Sequence, residues 1–168
     1  VFLIKGIVAA SENIISWMPN VINSKEQLVD SFDVSVGRLV AYRDPEEGDL
    51  HPYIHPKNIP IWGVVKSFSE KRRFKGTVIL PPFVVIRRTS SPSDKYRAAG
   101  TVITGKLPVA VENHLIIIKP KKNATIANCK KLLKTLKSSQ TNSFLNERIR
   151  CRHLTVGAVK QIPYCSTS

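Results

Sequence analysis

The sequence predicts an α+β fold in which a mixed or largely antiparallel sheet precedes a C-terminal pair of helices. Two observations lead to this prediction. Short β-rich apolar segments dominate the first 120 residues, and apolar residues at helical spacing begin only near residue 129. Strands followed by helices, rather than strict alternation of the two, are typical of α+β proteins. The length of 168 residues suits one domain. We expect a single domain over 1–168, with 63–168 as its core and 1–62 as a less defined N-terminal part.

The first half of the chain contains several short β-rich segments and one helical segment. Strands are predicted at residues 2–10, at 34–42, around Tyr53 within a Pro-rich acidic loop, and at 61–68. A helix is predicted over 24–32, because Ser24 is a suitable N-cap and Gln27 completes a capping box. The basic segment "EKRRFKG" (70–76) is expected to be a turn.

The second half begins with the strongest β signals of the chain. Residues 77–86 are rich in branched apolar residues, but Pro81 and Pro82 imply an edge strand, a bulge or a break between two strands. Further strands are predicted at 99–104 and 114–119. The second of these contains the run "HLIII", whose continuous apolar character indicates a strand buried on both faces.

The last third of the chain has the periodicity of helices. Its apolar stripe consists of Cys129, Leu132, Leu133 and Leu136. Most lysines of this segment fall off the stripe, as on a solvent-facing side. Residues 140–150 are predicted to form a second helix or an extension of the first. We expect a closing strand over 153–159 and an exit turn over 161–164.

Charge is distributed unevenly along the chain. The net charge is +14 and the pI about 10.0. Residues 1–62 carry five Lys/Arg and eight Asp/Glu, whereas residues 63–168 carry 21 and four. Such a basic half favours a polyanion partner, nucleic acid in particular, over a merely solvated basic face. The aromatic content of 7% argues against a domain that stacks many unpaired bases.

Cysteine usage and hydropathy predict a cytoplasmic protein without a membrane partner. The three cysteines form no CxxC and leave one over, so a reducing compartment is expected. No apolar run reaches membrane-spanning length, and "VFLIKGIVAA" lacks a basic leader. Because Met18 is the sole methionine, we expect the chain to be a fragment of a longer protein.

Signatures of cofactor binding and metal binding are weak. No two of the eight glycines are separated by a single residue, so a dinucleotide-binding fingerprint is missing. His51 and His55 have metal-ligand spacing for a helix, but the adjacent prolines make a helix unfavourable there. We therefore predict no cofactor-binding and no metal-binding residues in this chain.

Two features leave a catalytic alternative open. The acidic segment "DPEEGD" (44–49) is a solvated turn or, alternatively, the metal site of a small endonuclease. Cys151 and His153 would share one face of an extended chain, but nothing around them resembles a catalytic site. We predict no catalytic residues.

Three basic groups combine arginine with hydroxyl side chains. Arg forks onto phosphate or onto the major-groove edge of guanine, and hydroxyls commonly fix phosphates. The alternating arginines of "RIRCRH" would share a face of an extended chain, although charge guarding an exposed edge strand is an alternative. The predicted DNA-binding residues are Lys71, Arg72, Arg73 and Lys75; Arg87, Arg88, Thr89, Ser90, Ser91, Lys95, Tyr96 and Arg97; and Arg148, Arg150, Arg152 and His153.

Three segments carry a family resemblance. "FVVIRRTSS", "NHLIIIKPK" and "LLKTLKSSQTNSFLNERIRCRHLTVGAVKQIPY" resemble the target-recognition domain of bacterial restriction–modification systems. The likeness is to the C-terminal recognition region of adenine-specific DNA methyltransferases, and type I specificity subunits share the scheme. It covers about residues 63–164.

The resemblance implies a recognition lobe that reads a short duplex DNA sequence. It also implies that a methyltransferase domain, in the same or a partner chain, binds S-adenosylmethionine and performs the chemistry. This chain lacks the family's cofactor loop and catalytic tetrapeptide, so we expect no enzyme activity and no cofactor in this chain alone. In this reading Arg87 or Arg88 reads a base, Thr89, Ser90 and Ser91 orient phosphates, and "RIRCRH" makes a second contact.

Four alternatives remain from the sequence. The chain is half of a type I specificity subunit, a small metal-dependent endonuclease, a lobe whose basic face meets an acidic protein, or an RNA binder. Few aromatic residues lie in a stacking pattern, which disfavours RNA.

Overall fold

The computed structural model describes residues 26–166, which contain four helices and eight strands. The helices are α1 (Leu28–Ser31), α2 (Ile126–Leu136), α3 (Ser139–Arg148) and α4 (Val156–Lys160). The strands are β1 (Phe32–Val36), β2 (Asp49–Ile54), β3 (Val64–Val65), β4 (Lys71–Phe74), β5 (Phe83–Arg87), β6 (Gly100–Ile103), β7 (Ala110–Val111) and β8 (Leu115–Pro120). The predicted strand at 2–10 and the predicted cap Ser24 lie outside the described residues. No helix between residues 26 and 166 has the length and apolarity needed to cross a bilayer.

The strands form two sheets. The larger has the order β1-β8-β5-β6-β3, with antiparallel pairing except between β6 and β3. The smaller has the order β4-β2-β7, in which β2 pairs antiparallel with β4 and parallel with β7. The predicted α+β fold, with mixed sheets and C-terminal helices, is confirmed.

The strands β5 and β8 lie inside the larger sheet and are buried on both faces, so their sequences are continuous apolar runs. Successive side chains of a strand point to opposite faces. On β8, Ile116 and Ile118 enter the cluster under the helices, while Leu115 and Ile117 enter a second cluster on the other face. All four are buried. The prediction that this strand is covered on both sides is confirmed.

The predicted helical stripe packs as expected. Cys129, Leu132 and Leu136 are buried against the sheet, and Leu133 packs beside them. The following segment is a separate helix rather than an extension. Ser138 is its N-cap, because the Ser138 hydroxyl accepts a hydrogen bond from the amide of Thr141 at 3.2 Å.

Two predicted elements are wrong. The closing strand over 153–159 is instead the helix α4, which starts where the Thr155 hydroxyl accepts the amide of Ala158 at 3.2 Å. This N-cap outweighs the β preference of the neighbouring valines. The basic turn over 70–76 is instead the strand β4, whose pairing with β2 sets Arg72 opposite His51.

Several predicted boundaries shift. The helix predicted over 24–32 is the single turn α1, and its last predicted residue, Phe32, already begins β1. The strand predicted over 61–68 contracts to two residues. The Pro81–Pro82 pair breaks the β run of 77–86, because Ile79 bridges to Val109 and β5 starts only at Phe83.

We predict that shortening an isoleucine of β8 destabilises the fold far more than shortening one at the surface. Ile118 is fully buried, whereas Ile126 is 42% exposed. Ile118→Ala should lower the free energy of unfolding by about 2–5 kcal/mol through lost transfer energy and a cavity. Ile126→Ala is the matched control. Urea denaturation measures both, and equal effects would contradict the buried register of β8.

We predict that the cysteines differ in reactivity. Burial raises the pKa of the Cys129 thiol to about 11, whereas Cys151 is exposed. Because the thiolate is the reactive form, iodoacetamide near pH 8 should label Cys151 quickly and Cys129 only after unfolding. Peptide mass spectrometry over time measures this. Equal labelling rates in the native protein would contradict the packing of α2.

Candidate nucleic-acid interface

The guanidinium of Arg97 is fully buried and makes four side-chain hydrogen bonds. Its Nε donates to Ser90 Oγ at 3.0 Å, and its Nη1 donates to Asn146 Oδ1 at 2.9 Å and to the carbonyl of Ile149 at 3.0 Å. Its Nη2 donates to the carbonyl of Cys151 at 3.0 Å. All four acceptors are uncharged oxygens, so hydrogen bonds rather than an ion pair offset the desolvation of this charge.

Two segments meet at Arg97: the basic loop, residues 88–97, and the arginine segment, residues 148–153. They also bond directly to each other. The amide of Ser90 donates to the carbonyl of Arg152 at 2.8 Å, and Thr89 and His153 form an isolated antiparallel bridge. The fold therefore places side by side two basic groups that are about fifty residues apart in sequence.

Helix α3 fixes the far end of the basic loop. Asn142 Oδ1 accepts the backbone amide of Arg97 at 2.9 Å, while Asn142 Nδ2 donates to the carbonyl of Lys95. Within the loop, Asp94 Oδ2 accepts the amide of Ser91 at 2.6 Å. A local turn and a helix side chain thus hold the loop in one conformation, which positions its side chains for a ligand.

The two segments expose cations that have no acidic partner. In the part of the chain that the structure describes, Arg88, Arg150 and Arg152 form no ion pair and no side-chain hydrogen bond, and Arg88 is half-buried. Arg148 lies over the ring of Phe144 with its Cζ 4.4 Å from the centroid. The exposed residues of the two segments include one acid, Asp94, beside the predicted DNA-binding residues Thr89, Lys95, Arg148, Arg150, Arg152 and His153. This surface can bind a polyanion, since its charge is not neutralised from within.

The third basic group, on β4, is engaged inside the smaller sheet. Arg72 Nη2 donates to the carbonyls of Ala41 at 2.9 Å and Asp44 at 2.8 Å, and its Nη1 lies 3.5 Å from Glu46 Oε1. Its side chain is only 14% exposed. Arg72 therefore holds the acidic loop against β4. These internal contacts explain why the Arg72 side chain is buried, and no nucleic-acid contact is needed to explain it.

The neighbours of Arg72 have internal partners as well. Lys75 Nζ lies 2.8 Å from Glu47 Oε2, a contact that raises the pKa of Lys75 and lowers that of Glu47. Arg73 donates to the carbonyl of Gly48 at 3.1 Å, and Lys71 is exposed. No hydrogen bond among residues 26–166 joins β4 to the basic loop or the arginine segment.

Two residues predicted to touch DNA are buried. Arg97 and Ser90 are 0% and 6% exposed, and the donors of Arg97 are taken by the protein itself. In this fold these two side chains organise the surface from beneath, and a DNA contact by either of them stays a prediction. Arg87 is half-buried and donates to the carbonyls of Pro56 at 2.7 Å and Ile59 at 3.4 Å. Its guanidinium ties down the 56–59 loop, which leaves Arg88 as the freer arginine of the pair.

Tyr96 of the basic loop, itself a predicted DNA-binding residue, forms an aromatic pair with Trp62 that the sequence did not predict. The rings of Trp62 and Tyr96 meet edge to face with centroids 5.2 Å apart. Lys137 Nζ lies 5.5 Å from the Trp62 centroid and 5.8 Å from that of Tyr96. Lys95 Nζ lies 5.4 Å from the Tyr96 centroid. Neither Trp62 nor Lys137 carries a local signal, because their proximity comes only from the tertiary fold.

The residues weighed for metal or catalytic chemistry are used in internal contacts. His55 Nε2 lies 3.1 Å from Glu70 Oε1, and the thiol of Cys151 contacts the carbonyl, not the ring, of His153. The described residues contain no group of three or more His, Cys, Asp or Glu side chains placed to hold a metal ion. Asp44 accepts the amide of Val40 at 2.7 Å. Through the contacts of Arg72 with Asp44 and Glu46, the acidic segment also binds to β4.

The fold is similar to part of the HsdS subunit from Thermoanaerobacter tengcongensis. The match has a TM-score of 0.51 and 14% identity, and covers 82% of this chain and 31% of that chain. The present chain thus spans about a third of the HsdS subunit. A structure concerned with complex assembly and conformational transition of the type I R-M system matches with a TM-score of 0.49, 12% identity and coverage of 81% and 32%.

The structural match settles the fold expected from sequence. No protein-family model matches the sequence, and no curated protein matches it. The fold is similar to that of part of an HsdS subunit, in agreement with the fold that the sequence resemblance implied. At this level of identity the likeness establishes architecture, and function has to be argued from the surface.

We predict that Arg97→Met destabilises the protein strongly. Methionine has a similar length, but it leaves four oxygens without their donor. Two of these, Ser90 Oγ and the Ile149 carbonyl, lie in buried contacts, and each orphaned buried group costs about 1–3 kcal/mol. Arg150→Met, at an exposed site without a partner, is the control and should change stability by less than about 0.5 kcal/mol. Urea denaturation monitored by circular dichroism measures both. Equal stability of the two variants would show that Arg97 does not organise the two segments.

Proposed function

We propose that this chain is a target-recognition domain that binds duplex DNA in a sequence-specific manner within a type I restriction–modification specificity subunit. The observation that carries this proposal is the surface built on Arg97, where the basic loop and the arginine segment expose cations without acidic partners. The HsdS-like fold supports the same assignment. The adenine-methyltransferase parent, which the sequence resemblance favoured, has no comparable structural support.

Duplex DNA accounts for the composition of the surface better than the other polyanions. Arginine and hydroxyl side chains together dock onto phosphates and read guanine edges. Thr89 is exposed and Ser91 half-buried in the basic loop, and Arg88, Arg150 and Arg152 have free guanidinium donors. A single-stranded or RNA ligand would favour a row of stacking rings, whereas the rings of Trp62 and Tyr96 already pack on each other.

The structure distinguishes the two arginines that were predicted as base readers. Arg88 is the better candidate, since the Arg87 guanidinium is held by two carbonyls. Thr89 and Ser91 remain candidates for phosphate contacts. Ser90 and Arg97 act beneath the surface, and Arg72 and Lys75 belong to the smaller sheet.

Methyl transfer would lie with a partner methyltransferase that binds S-adenosylmethionine. A Cβ built at Gly37 would lie 2.1 Å from the Glu112 carbonyl oxygen, and one built at Gly100 would lie 3.1 Å from Leu133 Cδ1. These two glycines are enclosed by packing, which supports a division in which this chain supplies recognition and its partner the chemistry.

We predict that affinity for duplex DNA falls steeply with salt and that arginines of this surface set the slope. In a titration of a long duplex at several salt concentrations, log K should fall linearly with log salt by about 0.9 per phosphate contacted. Arg150→Gln and Arg152→Gln should each reduce that slope by about 0.9. Arg38→Gln is the control, because Arg38 is exposed but lies near the acidic loop. Salt-independent binding, or equal slopes for all variants, would refute the proposal.

We predict sequence preference in addition to charge-driven binding. Selection from a pool of random duplexes, followed by sequencing, should enrich a short motif. Arg88→Ala should relax one position of that motif, at a cost of about 1–3 kcal/mol for a lost bidentate contact. Arg150→Gln provides the comparison for a general loss of affinity. No enrichment with the wild-type chain would favour a nonspecific binder, and an unchanged motif in Arg88→Ala would exclude Arg88 as the reader.

A further inference from the structure

We propose that Lys95 and Lys137, held by the rings of Tyr96 and Trp62, form a phosphate-binding site at the edge of the surface described above. The proposal rests on the proposed function and extends it to a helix end that no sequence pattern pointed to. The ligand class is a phosphodiester of the DNA backbone.

The geometry brings two ammonium groups to one ring. Lys95 Nζ and Lys137 Nζ lie 5.4 Å and 5.8 Å from the centroid of Tyr96. The two nitrogens are therefore at most about 11 Å apart, within reach of one phosphate or of two successive phosphates. Lys137 Nζ also lies 5.5 Å from the Trp62 centroid.

Among residues 26–166, neither Lys95 nor Lys137 forms an ion pair with a carboxylate, although Asp94 also lines the adjoining depression. Asp94 is the nearest acid in sequence, and its Oδ2 accepts the amide of Ser91 at 2.6 Å. Two like charges beside one ring repel each other, and an anion between them removes that repulsion.

The rings restrict two side chains that would otherwise be flexible. A lysine has four rotatable bonds, and ordering it on binding costs conformational entropy. The cation–π contacts impose part of that order before a ligand arrives. A position at the C-cap of α2 also suits a cation, because of the helix dipole, but it does not direct the ammonium of Lys137 towards Trp62 and Tyr96.

Trp62 is held in a conformation that bulky residues rarely adopt. Its φ is +62°, in the left-handed region, which is an uncommon position for a residue with a large side chain. Its amide donates to the carbonyl of Gly100 at 2.7 Å, and the carbonyl of Gly63 accepts the amide of Val102 at 2.9 Å. Pairing with β6 therefore maintains the conformation that presents the indole to Lys137.

The aromatic pair borders a depression that is continuous with the basic loop. Its volume is about 370 Å³, and its lining includes Trp62, Lys95, Tyr96 and the exposed Thr89. A DNA strand that contacts Thr89 and the basic loop would pass this depression. The site thereby extends the contact from the arginine segment to the end of α2.

Matched lysines of one helix test the proposal. Lys134 and Lys137 are both exposed and lie one turn apart, but only Lys137 contacts the aromatic pair. In duplex titrations at several salt concentrations, Lys137→Gln should reduce the salt slope by about 0.9, and Lys134→Gln should leave it unchanged. Equal slopes for Lys137→Gln and Lys134→Gln would overturn the proposal.

Tyr96→Leu separates the ring from the charges. The variant keeps both lysines, so the salt slope should stay close to that of the wild type while affinity falls several-fold at every salt concentration. Thermal unfolding identifies any loss of the fold. Wild-type affinity in a folded Tyr96→Leu variant would show that the ring does not position the ammonium groups.

A small anion distinguishes this site from the DNA proposal itself. Inorganic pyrophosphate should shift the indole N–H resonance of Trp62, assigned with Trp62→Phe, in wild type but not in Lys137→Gln. If the wild-type chain binds no duplex DNA and this shift is seen, the proposed function fails and the phosphate site stands. If the shift is missing, or persists in Lys137→Gln, the site is refuted whatever the DNA result.

Discussion

The buried guanidinium of Arg97 is the constraint on which the candidate surface depends. Taking an arginine out of water is costly unless its nitrogens find acceptors, and here each of the three nitrogens donates to at least one uncharged oxygen. Three acceptors come from the region 146–151 and the fourth from Ser90. The arginine is satisfied only when α3, the arginine segment and the basic loop are all in place, so this cluster couples their positions.

The same chain uses its charges in two different ways. In the smaller sheet, acidic residues of the N-terminal part neutralise the cations of β4, as the contacts of Arg72 and Lys75 show. Among the described residues of the basic loop and the arginine segment the one acid is Asp94, whose carboxylate accepts the amide of Ser91 and forms no ion pair. The charge asymmetry along the sequence alone therefore does not locate the interface. Arg72 of β4 and the following Lys75 belong to the basic half of the chain, but they form ion pairs with Glu46 and Glu47 of the acidic half.

The sequence predicted the parts of the fold that depend on local pattern. The apolar run of β8 and the apolar stripe of α2 each predict, from residue spacing alone, which side chains are buried. Both predictions are confirmed. The predictions for "EKRRFKG" and "HLTVGAV" were wrong because distant pairing with β2 and a single threonine cap decided those structures. Local pattern does not contain that information.

The candidate site was predicted less well than the fold, for a related reason. Arginine is usually exposed, so sequence gives no ground to expect Arg97 inside the protein. Its acceptors at 146–151 lie about fifty residues away in the chain. The contact between Lys137 and Trp62 is equally nonlocal. From the concentration of arginine and hydroxyl residues in two segments the sequence predicts a nucleic-acid partner, and this stays a prediction.

Hydrogen exchange of the chain, measured with and without saturating duplex DNA, tests whether the surface organised by Arg97 contacts the DNA. We expect slower exchange on binding in peptides that cover 88–97 and 148–153, and weaker protection at the end of α2. Exchange in β4 and the acidic loop should not change. Protection confined to β4 and residues 43–49, or no protection at all under conditions where DNA binds, would contradict the assignment of the Arg97-organised surface as the DNA contact.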